Sequence, residues 1–136
     1  MDKIIIPEFV YQIVINHVVS NFPEEACGVL AGNNNKVTIG LPVTNQLHSR
    51  VKFYMEPIEL YKALEKIETE ELDLIAIFHS HPKGPDRPSE TDVKEFLYPG
   101  VATIICSPKE KNWSLKSFMI ENDSFREIEL VLDLTP

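Results

Sequence analysis

The run Leu72-Asp73-Leu74-Ile75-Ala76-Ile77-Phe78 constrains this chain more than any other segment. Its apolar residues do not alternate with polar ones, so as a strand it buries both faces and needs cover on each. Such a strand lies inside a sheet with helices packed against it. The chain then changes character at once, to His79-Ser80-His81-Pro82. An interior strand that ends on two imidazoles delivers them to the end of the sheet, where open α/β sheets place their sites.

The flanking sequence supplies the cover. Val10, Ile13, Val14, His17 and Val18 recur at three- and four-residue spacing after Pro7, which predicts a helix over 7–20. Leu60, Leu64 and Ile67 predict a second helix over 57–70, and Ser89 opens a third that runs to about Leu97. Strands are expected over 27–32 and 36–41, joined at Asn33-Asn34-Asn35, whose tolerance of left-handed backbone suits a hairpin turn. A short strand is expected over 51–55, a buried one over 101–106, and two closing strands over 113–120 and 124–132. The 136 residues fit one domain, 1–136, an α/β fold with a mixed β-sheet flanked by helices.

Charge and cysteine usage narrow the function. A net charge of -8 offers no basic stripe for phosphates, so neither nucleic acid nor an anionic membrane is an expected partner. Cys27 and Cys106 make no disulfide framework and no Cys-x-x-Cys, which suits a reducing, cytoplasmic setting. The N-terminus carries neither a signal-peptide pattern nor an apolar run of membrane length.

Metal chemistry follows from His79 and His81. Residues i and i+2 of an extended chain project to one face, so both imidazoles reach a single ion. The stiff loop Lys83-Gly84-Pro85-Asp86-Arg87-Pro88 returns a helix whose Ser89 and Asp92 share a face. Ser-x-x-Asp alone reads as a capping box. With two histidines upstream, Asp92 instead completes a three-ligand site with a fourth position for water. Asp86 is a competing ligand, although an aspartate beside Arg87 is usually a solvated turn residue. A water activated there needs a base, and of Glu24 and Glu25 the second adjoins the apolar strand and can be fixed beside the metal. Cys27 shares a face with Glu25 and reads as a small buried hydrophobe; Asn45 and Ser80 are candidates for the rim of the site or for the layer that backs its ligands.

Taken together, Glu25, His79-Ser80-His81-Pro82 and Pro88-Ser89-Glu90-Thr91-Asp92 resemble the JAMM (MPN+) metalloprotease signature: an upstream glutamate, His-x-His, seven residues, then Ser-x-x-Asp. Pro23-Glu24-Glu25-Ala26-Cys27-Gly28-Val29-Leu30 is further similar to the stand-alone prokaryotic branch. The resemblance implies a cytidine-deaminase-like (JAMM/MPN) fold over the whole chain and one catalytic Zn2+. It implies that His79, His81 and Asp92 bind the zinc. Glu25 would move the proton, and Ser89 would steady the carbonyl oxygen. The implied substrate is a ubiquitin-like or sulfur-carrier protein of β-grasp type, cut after its C-terminal glycine, with Val51 to Met55 as a strand edge for its tail. A nucleobase deaminase would need His-x-Glu and Pro-Cys-x-x-Cys, which are missing. Two alternatives stay open: a catalytically silent MPN-type scaffold, and a zinc hydrolase of small peptide or amino-acid conjugates.

Overall fold

A computed structural model describes residues 1–135. The elements run β1 (Lys3–Pro7), α1 (Glu8–Asn21), β2 (Cys27–Asn33), β3 (Lys36–Val43), α2 (Pro57–Thr69), β4 (Asp73–Ser80), α3 (Glu90–Lys94), β5 (Ala102–Lys109), β6 (Asn112–Glu121) and β7 (Ser124–Asp133). Around the sheet the order is β1-β3-β2-β4-β5-β6-β7. β4 lies between β2, antiparallel, and β5, parallel, so the apolar run is interior as its composition requires. Among the described residues no helix is long and apolar enough to cross a membrane.

Both faces of β4 are covered. Ala76 and Phe78 pack with Ile4, Ile6 and the Val10, Val14 and Val18 stripe of α1, which is fully buried. Ile77 turns the other way, toward Ala63 and Ile67 of α2, with Met55 and Val43 completing that layer. Alternation along the strand therefore puts His79 on the α2 side, in line with Ile77. α2 begins with Pro57 just inside its first turn, and the Glu56 side chain accepts from the Glu59 amide.

Three expectations need correction. Residues 3–7 form a strand that the sequence reading did not identify. It pairs in parallel with β7 and meets β3 at Ile5, whose amide donates to the Asn35 carbonyl at 2.8 Å, so the sheet closes on itself. Residues 51–55 do not form a strand; only Met55 pairs, in an isolated bridge with Asn45. The reason is competition: the Lys52 carbonyl and Tyr54 amide are taken by the Asn45 side chain, and the Tyr54 carbonyl by the Gln46 amide. The third helix is five residues long and ends before Glu95, whose amide bonds to the Thr91 carbonyl.

Gly28 sits on β2 with Leu41 and Pro42 on one side and Phe78 on the other. A Cβ there would run into the Phe78 ring and lie 2.7 Å from the Leu41 carbonyl oxygen. Gly28→Ala is expected to lower stability by about 1–3 kcal/mol through overpacking, read as a lower urea midpoint at unchanged slope.

Candidate metal centre

The centre forms where β2 begins and β4 ends. His79 is the penultimate residue of β4, and His81 continues past it with its amide bonded to the Cys106 carbonyl of β5 at 2.8 Å. Glu25 stands two residues before β2. Its neighbour Ala26 is locked to β4 twice, through its amide to Ser80 Oγ at 2.8 Å and its carbonyl to the Ser80 amide at 3.0 Å. Ser80 is thus fully buried behind the ligands, the second of the two places expected for it.

All four acid and imidazole side chains converge, with side-chain exposures of 4% for Glu25, 2% for His79, 6% for His81 and 11% for Asp92. His79 Nδ1 lies 3.5 Å from Glu25 Oε1, and His79 Nε2 lies 3.5 Å from Asp92 Oδ1. His81 Nε2 lies 3.1 Å from Asp92 Oδ2. One atom each from Glu25, His79 and His81 falls within 4.8 Å of the others, while Asp92 offers its two oxygens to the two imidazoles separately.

The hydrogen bonds assign the protons. His81 Nδ1 lies 2.9 Å from the Pro85 carbonyl, which only accepts, so that nitrogen carries hydrogen. Nε2 then faces a carboxylate across 3.1 Å and needs either a second proton or a cation between them. Burial works hardest on His81 and lowers its pKa. The Asp92 hydrogen bond, the Pro85 carbonyl and the charges of Asp92 and Glu25 outweigh it, so the net shift is upward. For Asp92, burial pushes upward. The His81 bond, the charge of His79 and the Ser89 amide overcome it and hold the carboxyl at about 2. The site is built for positive charge.

A metal fits this donor set. Glu25 Oε1 and His79 Nδ1 are buried without any hydrogen-bond partner among the described residues, a cost of about 1–3 kcal/mol for each such atom. Two donors about 2.0–2.1 Å from a tetrahedral ion stand about 3.4 Å apart, and the observed separations of 3.1 to 3.5 Å bracket that spacing. His81 also has the outer carbonyl partner that usually orients a ligating imidazole.

Asp92 serves as cap and site at once, with Ser89 as its capping partner. Ser89 Oγ accepts from the Asp92 amide at 3.0 Å and Asp92 Oδ2 accepts from the Ser89 amide at 2.8 Å, a complete capping box. The same Asp92 oxygen faces His81. Asp86 is not part of the cluster: it pairs with Lys116 at 2.6 Å and with Arg87 at 3.4 Å. The Cys27 thiol donates to the Val43 carbonyl, and burial, with help from the Glu25 and Glu59 charges, pushes it up to about 12. His48 is exposed and pairs with Glu24, and His17 lies 3.2 Å from the Val43 carbonyl; neither reaches the site.

Two features escaped the sequence reading. The Phe53 ring stacks on His79, centroids 4.3 Å apart and planes 25° apart. Beside it opens an apolar groove of about 600 Å³, lined by Phe53, Tyr54, Tyr61 and Leu97 and reaching His79 and Asp92. No periodicity marks either one, because residues 45–54 are irregular.

A mixed α/β sheet here brings two buried histidines and two carboxylates together at one end, a donor set that fits a metal. Residues 7–121 match the family described as prokaryotic homologs of the JAB domain, and the chain belongs to that family. It is 35% identical over 134 residues to a desampylase of Pyrococcus furiosus, covering 97% of this chain and 92% of the relative. Over 80 residues it is 41% identical to a probable TtuB-protein conjugate cleaving protease of Thermus thermophilus, covering 58% and 53% of the two chains. A solution structure of a Desulfitobacterium hafniense protein superposes with a TM-score of 0.87 at 28% identity, covering 97% and 94%. The JAMM resemblance carried by Glu25, His79, His81, Ser89 and Asp92 agrees with this family.

Metal uptake must displace whatever proton His81 Nε2 holds. Titration with cobalt(II) at a series of pH values is therefore expected to show affinity rising as pH climbs through the raised His81 pKa, with release of the His81 proton confined to the acid side.

Proposed function

We propose that this chain is a zinc-dependent metallopeptidase or isopeptidase of the JAMM type. Its substrate is a ubiquitin-like or sulfur-carrier protein of β-grasp fold, cut after the C-terminal glycine. The observation that carries the reading is the opposed pair of His81 Nε2 and Asp92 Oδ2, set beside the unpartnered Glu25 Oε1 and His79 Nδ1. A silent scaffold has no use for such atoms at its centre.

In this reading His79, His81 and Asp92 hold the zinc. Asp92 is favoured over Glu25 as third ligand because it faces Nε2 of both imidazoles and is fixed by the Ser89 amide, whereas Glu25 faces the far nitrogen of His79. When bound, zinc supplies Lewis-acid polarisation and a water acidified to a pKa of about 7. Glu25, buried and uncommitted, takes the proton of the attacking water and passes it to the leaving amine. Ser89 accepts from the Asp92 amide, so its own hydroxyl proton is free to donate to the carbonyl oxygen as the carbon becomes tetrahedral.

The substrate class is supported by the relatives, a desampylase and a conjugate-cleaving protease. The apolar groove supports an extended tail lying beside His79, along residues 51–55 as a groove wall rather than as a strand edge. A cytoplasmic setting is supported by two free, buried thiols, and the proposal takes 1–136 as one catalytic domain.

The test is a β-grasp protein fused through its C-terminal glycine to a second protein, offered to zinc-loaded enzyme. Glu25→Gln is expected to bind one zinc per chain with turnover down about 10²–10⁴-fold. His79→Ala and Asp92→Ala lose zinc and activity together. Ser89→Ala should lower kcat about 10²–10³-fold and, by removing a cap, cost about 1 kcal/mol of stability. Wild-type turnover by Glu25→Gln, or a wild-type chain that takes up no zinc, would overturn the proposal.

A further inference from the structure

Asn45 stands just beyond β3 and is 4% exposed. A side-chain amide has two donor hydrogens and two acceptor lone pairs, and all four are spent here on backbone. Nδ2 donates to the Glu25 carbonyl at 3.1 Å and the Lys52 carbonyl at 3.0 Å. Oδ1 accepts from the Leu47 amide at 3.1 Å and the Tyr54 amide at 3.0 Å.

Of these partners Glu25 is itself a neighbour of His79, and Lys52 and Tyr54 flank a second neighbour, Phe53. Glu25 faces His79 Nδ1 at 3.5 Å. Phe53, whose ring stacks on the same imidazole, is bracketed by the two residues Asn45 grips, Lys52 and Tyr54. The Glu25 amide bonds in turn to the Ser49 carbonyl at 2.8 Å, inside the same segment. Glu25 is therefore tied at both its amide and its carbonyl to residues 45–54, which also form one wall of the groove through Val51, Lys52, Phe53 and Tyr54.

We propose that Asn45 is a positioning residue for the reaction: one buried amide registers the Glu25 carboxylate and the Phe53 ring against His79, so that proton carrier and groove wall are a single unit. Its catalytic consequence rests on the peptidase reading above; its geometric content does not. A misplacement of the order of an ångström at a reacting group costs about 10²-fold in rate, which sets the size of the effect.

Two variants test it. Asn45→Asp keeps the acceptor that Leu47 and Tyr54 use, loses both donor bonds and sets a carboxylate against the Glu25 and Lys52 carbonyls. Asn45→Ala removes all four bonds. In zinc-loaded Asn45→Ala, amide exchange at Glu25, Leu47 and Tyr54 is expected to speed up about tenfold or more, with Ile77 and Phe78 of β4 protected as in wild type. In both variants kcat on the β-grasp fusion falls about 10²-fold. The visible spectrum of the cobalt-substituted protein, which reports the ligands, stays unchanged. Unaltered exchange at Glu25, a loss of protection spread evenly into β4, or wild-type kcat in folded variants would overturn the assignment. Failure of the wild-type enzyme to cut any such fusion would count against the peptidase reading instead, and the exchange measurement would still decide whether Asn45 registers Glu25.

Discussion

Two imidazoles and two carboxylates are packed at the end of β4 with almost no access to water, and the surrounding chain is arranged to offset the cost of that burial. Each unpaired ion taken from water costs several kcal/mol even after relaxation. The Pro85 carbonyl meets the His81 proton, the Ser89 amide meets Asp92, and the stacked Phe53 ring closes one side of His79. Ser80 and Asn45 satisfy the two polar groups of the Glu25–Ala26 peptide unit, and the Ser49 carbonyl takes the Glu25 amide on the other side. Among the described residues only Glu25 Oε1 and His79 Nδ1 are buried side-chain atoms left without a hydrogen-bond partner, and they face each other.

Asp92 illustrates how a structural and a chemical role coincide. As the third residue of α3 it closes the capping box with Ser89, which fixes its rotamer before any ligand binds. The cap is thus a means of aiming the carboxylate, and a helix of five residues suffices because it has only to present that one turn. The loop of residues 83–88 leads into that short helix and brings its first turn against the histidines, with no longer element between β4 and β5.

The interior strand, both long helices and the hairpin were legible in the sequence because each has a period or a turn residue that physics reads directly. The histidine pair was legible for the same reason, as two positions on one side of a strand end. β1 was not, since three isoleucines before a proline gain their meaning from β7, more than a hundred residues away. Residues 51–55 alternate like a strand, yet a single asparagine takes the backbone groups that pairing would need. Asn45 could be suspected of lining the rim or backing the ligands but not seen as a clamp, because every partner it has is main chain. Motif spacing pointed to Asp92, whereas its separate approach to two imidazoles needed coordinates.

The proposal that ties these observations together is a division of labour between two carboxylates that solvent scarcely reaches, Asp92 as ligand and Glu25 as proton carrier. Anomalous diffraction at the zinc absorption edge, recorded from zinc-loaded crystals of wild type and of Glu25→Gln, tests that division most directly. The account predicts one peak bonded to His79, His81 and Asp92 in both crystals, with Glu25 outside the coordination sphere. A peak that bonds to Glu25 in place of Asp92, and disappears in Glu25→Gln, would contradict it.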